Sequence, residues 1–290
     1  MTPAAPLRHA VSHLTVASVA FAAFALGFAA IQLSWLEELQ RPRVVLLGSG
    51  DRLSILVTDG DARLLIASGD DPAAFGNALG RVLRPSQDRL DLVLVAGTGD
   101  DLRAAAVAVA HPGVRSVAAI APFPRSPDLP ALLGVPMIGA PRRIVLGGTG
   151  VTIEALPTND EEDAGWVWRA TIVRGASKIV VLSDGGAAKR FPTTTPGSVL
   201  VVAGPAPVAG WEGEPAPVLA LPDAAVPPAQ LREAAAAGAP VPSSVVRVFP
   251  GEAVPLEFVE DGIALPSEAT ARLTGATGSL AASTRQTNEE

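Results

Sequence analysis

The feature that most limits how this chain folds is an uncharged run of 23 residues near its N-terminus, at 14–36. As a helix, the run is long enough to cross a hydrocarbon core about 30 Å thick. Trp35 stands where an interfacial aromatic is expected, and charges resume directly afterwards at Glu37. The run predicts a single membrane anchor over 14–36, after a short N-terminal tail, 1–13.

A cleaved secretory signal is the alternative for this run, because small residues at Gly27 and Ala29 offer a cleavage site. The length of the apolar run favours the anchor. One basic residue, Arg8, precedes the run and two, Arg41 and Arg43, follow closely, a weak bias that by itself would place the remainder in the cytoplasm.

Composition excludes several classes of function. The net charge is −7, and Arg8 is the one charged residue before position 37, so the remainder carries −8. Such a balance disfavours direct nucleic-acid binding and leaves no polybasic patch for a membrane surface. The sequence has no cysteine, which excludes disulfides, thiolate metal sites and cysteine nucleophiles.

After Pro42, short β-branched runs alternate with Gly, Asp and Pro, a pattern typical of strands. The predicted strands are 44–47, 53–58, 63–67, 90–95, 116–120, 143–146, 151–156, 166–173, 178–183, 198–203, 245–249 and 256–259. Helices are predicted at 72–83, 100–110 and 228–237. This mixture predicts an α/β domain over 43–265 with sheet layers faced by helices.

Two later segments lack this pattern. Residues 204–242 are rich in Pro, Ala and Gly and are predicted to wrap the surface in extended form, apart from one short helix. Residues 266–290 have no apolar face and are predicted to form a disordered tail.

A Gly-rich turn after the first strand carries a family resemblance. The turn Gly48-Ser49-Gly50-Asp51, followed by a hairpin that ends at Ala67-Ser68-Gly69-Asp70, resembles the opening of metallo-β-lactamase-fold proteins. The closest likeness is to the soluble domain of ComEC-like competence proteins, although Ala67 replaces an acid of the second turn. The resemblance implies a four-layer αββα sandwich over 43–265.

The metal-binding residues of that family are degenerate in this chain. In register with its His-x-His-x-Asp-His motif, the three histidine positions read Ala96, Thr98 and Asp101, and Asp100 alone matches. Asp184 is the nearest counterpart of the family's bridging aspartate, and Gly204 stands where a histidine loop is expected. His111 is the single histidine after position 36, so we expect no catalytic residue, no cofactor and no metal.

The surviving acids have ordinary structural interpretations. Asp51 and Asp184 suit turns, whereas the pairs Asp70-Asp71 and Asp100-Asp101 suit helix starts. The implied fold would nevertheless gather four of them at one sheet edge, where carboxylates suit Mg²⁺ or Ca²⁺. If any metal binds, its predicted ligands are Asp51, Asp70, Asp100 and Asp184.

Trp166 and Trp168 share one face of a predicted strand. Core packing is the ordinary interpretation of such a pair, and a partner surface is the functional alternative.

The leading hypothesis is a non-catalytic, membrane-anchored pseudo-metallohydrolase that acts as a scaffold or binding subunit with a protein partner. The resemblance implies DNA-uptake machinery as its setting and the outer side of the membrane as its location. Two alternatives stay open: a carboxylate-metal-dependent hydrolase of phosphodiesterase type, and a structural subunit of a surface assembly.

Overall fold

The computed structural model describes residues 24, 27, 41–83, 89–97, 99–120, 129–138, 141–157, 166–184, 187, 199–205, 218–223, 244–260, 262–265 and 270–272. The chain divides into two units, Met1–Arg41 and Pro42–Glu290. In the first unit Phe24 and Gly27 are helical, and the rest of the predicted anchor, 14–36, lies outside the described residues. Across the described part of the chain, no helix combines the length and apolar character that a membrane span needs.

The second unit is rich in strands. They are Arg43–Gly48 (β1), Leu53–Asp59 (β2), Ala62–Ala67 (β3), Leu92–Val95 (β4), Val117–Ala119 (β5), Arg142–Leu146 (β6), Thr149–Pro157 (β7), Trp166–Arg174 (β8), Ser177–Leu182 (β9), Val199–Val202 (β10), Val218–Pro222 (β11), Ser244–Val248 (β12), Ala253–Val259 (β13), Gly262–Ala264 (β14) and Thr270–Arg272 (β15). The described α-helices are Pro72–Val82 (α1) and Leu102–Val109 (α2), and a 3-10 turn at Gly99–Asp101 leads into α2.

The strands form two mixed sheets. The first has the order β14-β13-β1-β2-β3-β4-β5, and the second β15-β12-β11-β10-β9-β8-β7-β6. In the first sheet β3, β4 and β5 run parallel, and in the second β9 to β12 do so. Strands β1 and β3 each pair antiparallel with β2, so the carboxyl ends of β1, β3 and β4 meet at one edge.

Alternating side chains divide the first sheet between two cores. Val44 and Leu46 of β1 pack between the two sheets with residues such as Val151 of β7. Val45 and Leu47 face the opposite way and pack with Phe75 of α1 and other helix residues. Because both faces are covered, these strands read as continuous apolar runs rather than as alternating ones.

The second sheet is covered less evenly. Leu200 and Leu219, which face away from the inter-sheet core, are buried, as a covered outer face requires. By contrast, Val145 of β6 and Val173 of β8 are 64% and 39% exposed. The edge formed by β6–β8 therefore faces solvent on its outer side, which accounts for its alternating polar residues.

The predicted mixed α/β fold is confirmed, including two of the three predicted helices, α1 and α2. The third, at 228–237, lies outside the described residues. Helix, sheet and sheet are described as three successive layers, and the fourth layer stays a prediction.

Each of the two segments predicted to be irregular contains a strand among its described residues. Val218–Pro222, inside the segment predicted to wrap the surface, is the buried strand β11, hydrogen-bonded between β10 and β12. Thr270–Arg272, inside the segment predicted to be disordered, pairs antiparallel with β12 as β15. Both strands are short runs within biased composition, and backbone pairing with a neighbour orders them where composition alone does not.

Candidate functional site

The strand ends of both sheets meet at one place, called here the strand-end edge: residues 48–53, 68–71, 99–104, 183–184 and 203–204. Backbone hydrogen bonds connect these segments. Gly69 N donates to Asp101 O at 2.8 Å within the first sheet's loops, and Leu53 N donates to Ala203 O of the second sheet at 2.7 Å. Loops beyond strand carboxyl ends are common places for binding sites, so this edge is the candidate site.

Three buried serines form a hydrogen-bond network next to the strand-end edge. Ser54 Oγ donates to Ser68 O at 2.7 Å and accepts from Ser68 N at 3.0 Å. Ser49 Oγ donates to the same carbonyl at 2.6 Å. All three residues are almost fully buried, so these bonds fix the β1–β2 turn on the end of β3.

Asp71 is the N-cap of α1. Its carboxylate accepts hydrogen bonds from the backbone N–H groups of Ala73 and Ala74, both at 2.9 Å, with Pro72 beginning the helix. The helix-start interpretation of the Asp70-Asp71 pair is confirmed for Asp71.

Asp51 and Asp70 lie side by side. Asp51 N donates to Asp70 Oδ1 at 3.4 Å, across the turn made by Gly50, whose φ of +90° suits glycine. Partial burial, followed by the nearby Asp70 carboxylate, raises the pKa of Asp51 above its ordinary 3.8, while Arg52 opposes the rise. Among the four predicted ligands, Asp51 and Asp70 are therefore in direct hydrogen-bond contact.

The raised pKa of Asp51 predicts a pH-dependent effect of Asp51→Asn. The folded state holds this proton more tightly than the unfolded state, so the carboxylate lowers stability progressively as the pH rises above 3.8. We expect Asp51→Asn to raise the Tm near neutral pH by about 1–3 °C, the range for a weak exposed charge pair. Thermal unfolding from acid to neutral pH should show this gain vanish below pH 3.8. The exposed Glu260→Gln is the control, and a gain that does not depend on pH would contradict the assignment.

Asp100 and Asp101 lie at the start of α2, as predicted, but their side chains make different contacts. Asp100 is 77% exposed and pairs with Arg103 at 2.8 Å, one helical turn along. Asp101 occupies the N-cap position of α2 but makes no side-chain cap hydrogen bond. The capping interpretation is therefore wrong for Asp101, because its carboxylate is held by Arg52 instead.

Asp184 lies in a turn directly after β9. Its carboxylate accepts from Ala187 N at 2.9 Å, and the neighbouring Ser183 Oγ accepts from Trp168 N at 3.2 Å. The turn interpretation of Asp184 accounts for these contacts.

Arg52 is the residue of this edge that the sequence motifs did not indicate. Its Nε lies 2.7 Å from Asp101 Oδ1, and its Nη1 donates to Ser183 O at 3.4 Å. The Arg52 and Asp101 side chains are 20% and 14% exposed. A basic residue directly after the Gly-Ser-Gly-Asp turn, in a chain without the expected histidines, was the available signal.

The donor set of the edge does not fit the zinc centre that the resemblance implies. Ala96 has no donor, and the Asp101 carboxylate is paired with a guanidinium. His111 lies at the opposite end of α2, where its Nδ1 accepts from Gly113 N at 3.2 Å. Within the described ranges, no group of three or more His, Cys, Asp or Glu side chains is placed to hold a metal.

Trp168 packs in the core. Its side chain is 4% exposed and lies between the two sheets, whereas Trp166, at the start of the same strand, is half-buried. Core packing therefore accounts for Trp168, and its side chain is not available to a partner.

No family model and no curated protein matches this sequence. Among solved structures, the chain is similar to Rm3 metallo-beta-lactamase with 16% sequence identity and a TM-score of 0.40. The match covers 57% of this chain and 76% of the lactamase. At this TM-score the likeness assigns neither a family nor an activity.

Proposed function

We propose that this chain is a non-catalytic relative of the metallo-β-lactamase-fold proteins, and that its sandwich serves as a scaffold or binding subunit. One observation carries the proposal: at the strand-end edge, Asp101 is paired with Arg52 at 2.7 Å. In the sequence resemblance, Asp101 stands at a metal-ligand position. A carboxylate that is neutralised by arginine has little remaining affinity for a cation, because arginine stays protonated at every accessible pH.

The setting of this subunit is part of the same proposal. The uncharged run at 14–36 supports a single membrane anchor, and the resemblance to ComEC-like proteins supports an outer location beside DNA-uptake machinery. The charge of −8 from position 37 onward supports a protein partner rather than direct contact with DNA.

A carboxylate-metal hydrolase is the second candidate, and the proximity of Asp51 and Asp70 favours it. Two neighbouring carboxylates attract a hard cation, which could activate a water molecule. Neither Asp51 nor Asp70 is ion-paired as closely as Asp101 is with Arg52, so these two carboxylates would be the first ligands of such a cation.

Turnover measurements separate the two candidates. We expect the full chain to hydrolyse neither phosphodiester nor β-lactam substrates above the buffer rate, with Zn²⁺, Mn²⁺ or Mg²⁺ added. The double variant Asp51→Asn/Asp70→Asn serves as the matched control. Metal-dependent turnover that this variant abolishes would establish the hydrolase and overturn the scaffold proposal.

A further inference from the structure

We propose that Arg52 is an internal cation that takes the place of a bound metal, because its guanidinium both neutralises Asp101 and connects the two sheets at the strand-end edge. The inference rests on the proposed function and deepens it, because it assigns a specific residue to the position that a metal would hold in the family that the sequence resembles.

The first role is neutralisation of charge. Asp101 is 14% exposed and its Oδ1 lies 2.7 Å from Arg52 Nε. A carboxylate with so little access to water requires a nearby positive charge or strong hydrogen bonds. Arg52 supplies the positive charge, and unlike histidine it keeps that charge at every accessible pH.

The second role is connection of the sheets. Arg52 precedes β2 and Asp101 follows β4, so both belong to loops of the first sheet. Ser183, whose carbonyl accepts from Arg52 Nη1 at 3.4 Å, follows β9 of the second sheet. One side chain therefore contacts loops from both sheets, as a metal does when its ligands come from several strand ends.

Glycine leaves room for this guanidinium. A Cβ at Gly204, after β10, would lie 2.7 Å from Ser183 O and would collide with Arg52 Nη1. Likewise, a Cβ at Gly97 would lie 2.8 Å from the Cβ of Asp101. The loops that contain Gly97 and Gly204 therefore pack against the ion pair too closely to accept a side chain at either glycine.

A double-mutant cycle on the full chain tests the proposal. Arg52→Ala should lower the Tm by about 4–12 °C, the range expected when a largely buried charge loses its partner. Asp101→Asn made in addition should cost much less than it does alone, because the two groups act on one another. The exposed pair of Arg103 and Asp100 is the matched control, and Arg103→Ala should shift the Tm by about 2 °C or less.

Two further measurements separate a cation from a merely structural side chain. Methylguanidinium at millimolar concentration should restore part of the Tm of Arg52→Ala and none of that of Arg103→Ala. Arg52→Lys, which keeps the charge but loses the planar fork, should fall between the wild type and Arg52→Ala.

The contradicting results are equally specific. Equal Tm losses for Arg52→Ala and Arg103→Ala, or additive effects in the cycle, would overturn the proposal. So would a rise in the wild-type Tm on adding Zn²⁺, because a metal would then be occupying the edge with Arg52 present. All of these results are changes in Tm and test the role of Arg52. Hydrolytic turnover is a separate measurement, and it would overturn the proposed function instead.

Discussion

Replacing Gly69 by alanine is expected to lower the free energy of unfolding by about 3–5 kcal/mol, through backbone strain and overpacking together. Gly69 has a φ of +136°, which non-glycine residues rarely adopt. A Cβ there would also lie closer than 3.0 Å to the carbonyl oxygen and the side chain of Ser49. Ser49 belongs to the buried serine network, so the turn cannot move away without breaking its hydrogen bonds.

Chemical denaturation with a matched glycine checks this expectation. Gly76 lies within α1, and a Cβ there would meet nothing within 4 Å. Gly76→Ala should therefore stabilise the protein by about 0.5–1 kcal/mol through helix propensity. If the two variants had the same stability, the tight packing of Gly69 on the β1–β2 turn would be contradicted.

Asp59→Ala is expected to lower the free energy of unfolding by about 2–4 kcal/mol. Asp59 ends β2 of the first sheet, and its Oδ2 accepts from Gly148 N at 2.7 Å, Thr149 Oγ1 at 3.0 Å and Arg174 Nη1 at 2.5 Å. These three donors belong to the second sheet and its β6–β7 turn. The Asp59 side chain is 9% exposed, and the variant would leave the buried Thr149 hydroxyl and the half-buried Arg174 guanidinium without this acceptor.

The ion pair of Arg169 and Glu154 is the control for Asp59. It lies on neighbouring strands β7 and β8, with side chains 23% and 33% exposed, and it does not connect the two sheets. Glu154→Ala should cost about 1 kcal/mol or less in the same denaturant titration. If Glu154→Ala lowered the free energy of unfolding as much as Asp59→Ala does, the contacts of Asp59 between the two sheets would contribute no extra stability.

The first half of the fold could be predicted from sequence because its local signals agree with its tertiary contacts. The apolar run before Gly48 specifies β1 without a distant partner. The Asp71-Pro72 pair specifies the start of α1 in the same way. By contrast, β11 is specified by its position between β10 and β12. Its five residues, which follow Pro217 and end in Pro222, carry too little pattern to distinguish a central strand from an extended loop.

The candidate site was predictable in position but not in detail. Spacing alone brings the strand ends that carry Asp51 and Asp70 to one edge, since β1 and β3 run in the same direction. Which acid is paired depends on side-chain directions that spacing does not specify. Asp100 faces solvent with Arg103, whereas Asp101, one residue later, is held by Arg52 from a loop some fifty positions away in sequence.

Metal content of the purified full chain, measured after incubation with excess Zn²⁺ and removal of the unbound ion, tests the central claim most directly. The Arg52–Asp101 ion pair leads us to expect far less than one zinc per chain, and the same Tm before and after treatment with a chelator. One or two zinc ions per chain, with a Tm that falls when the chelator removes them, would contradict the account.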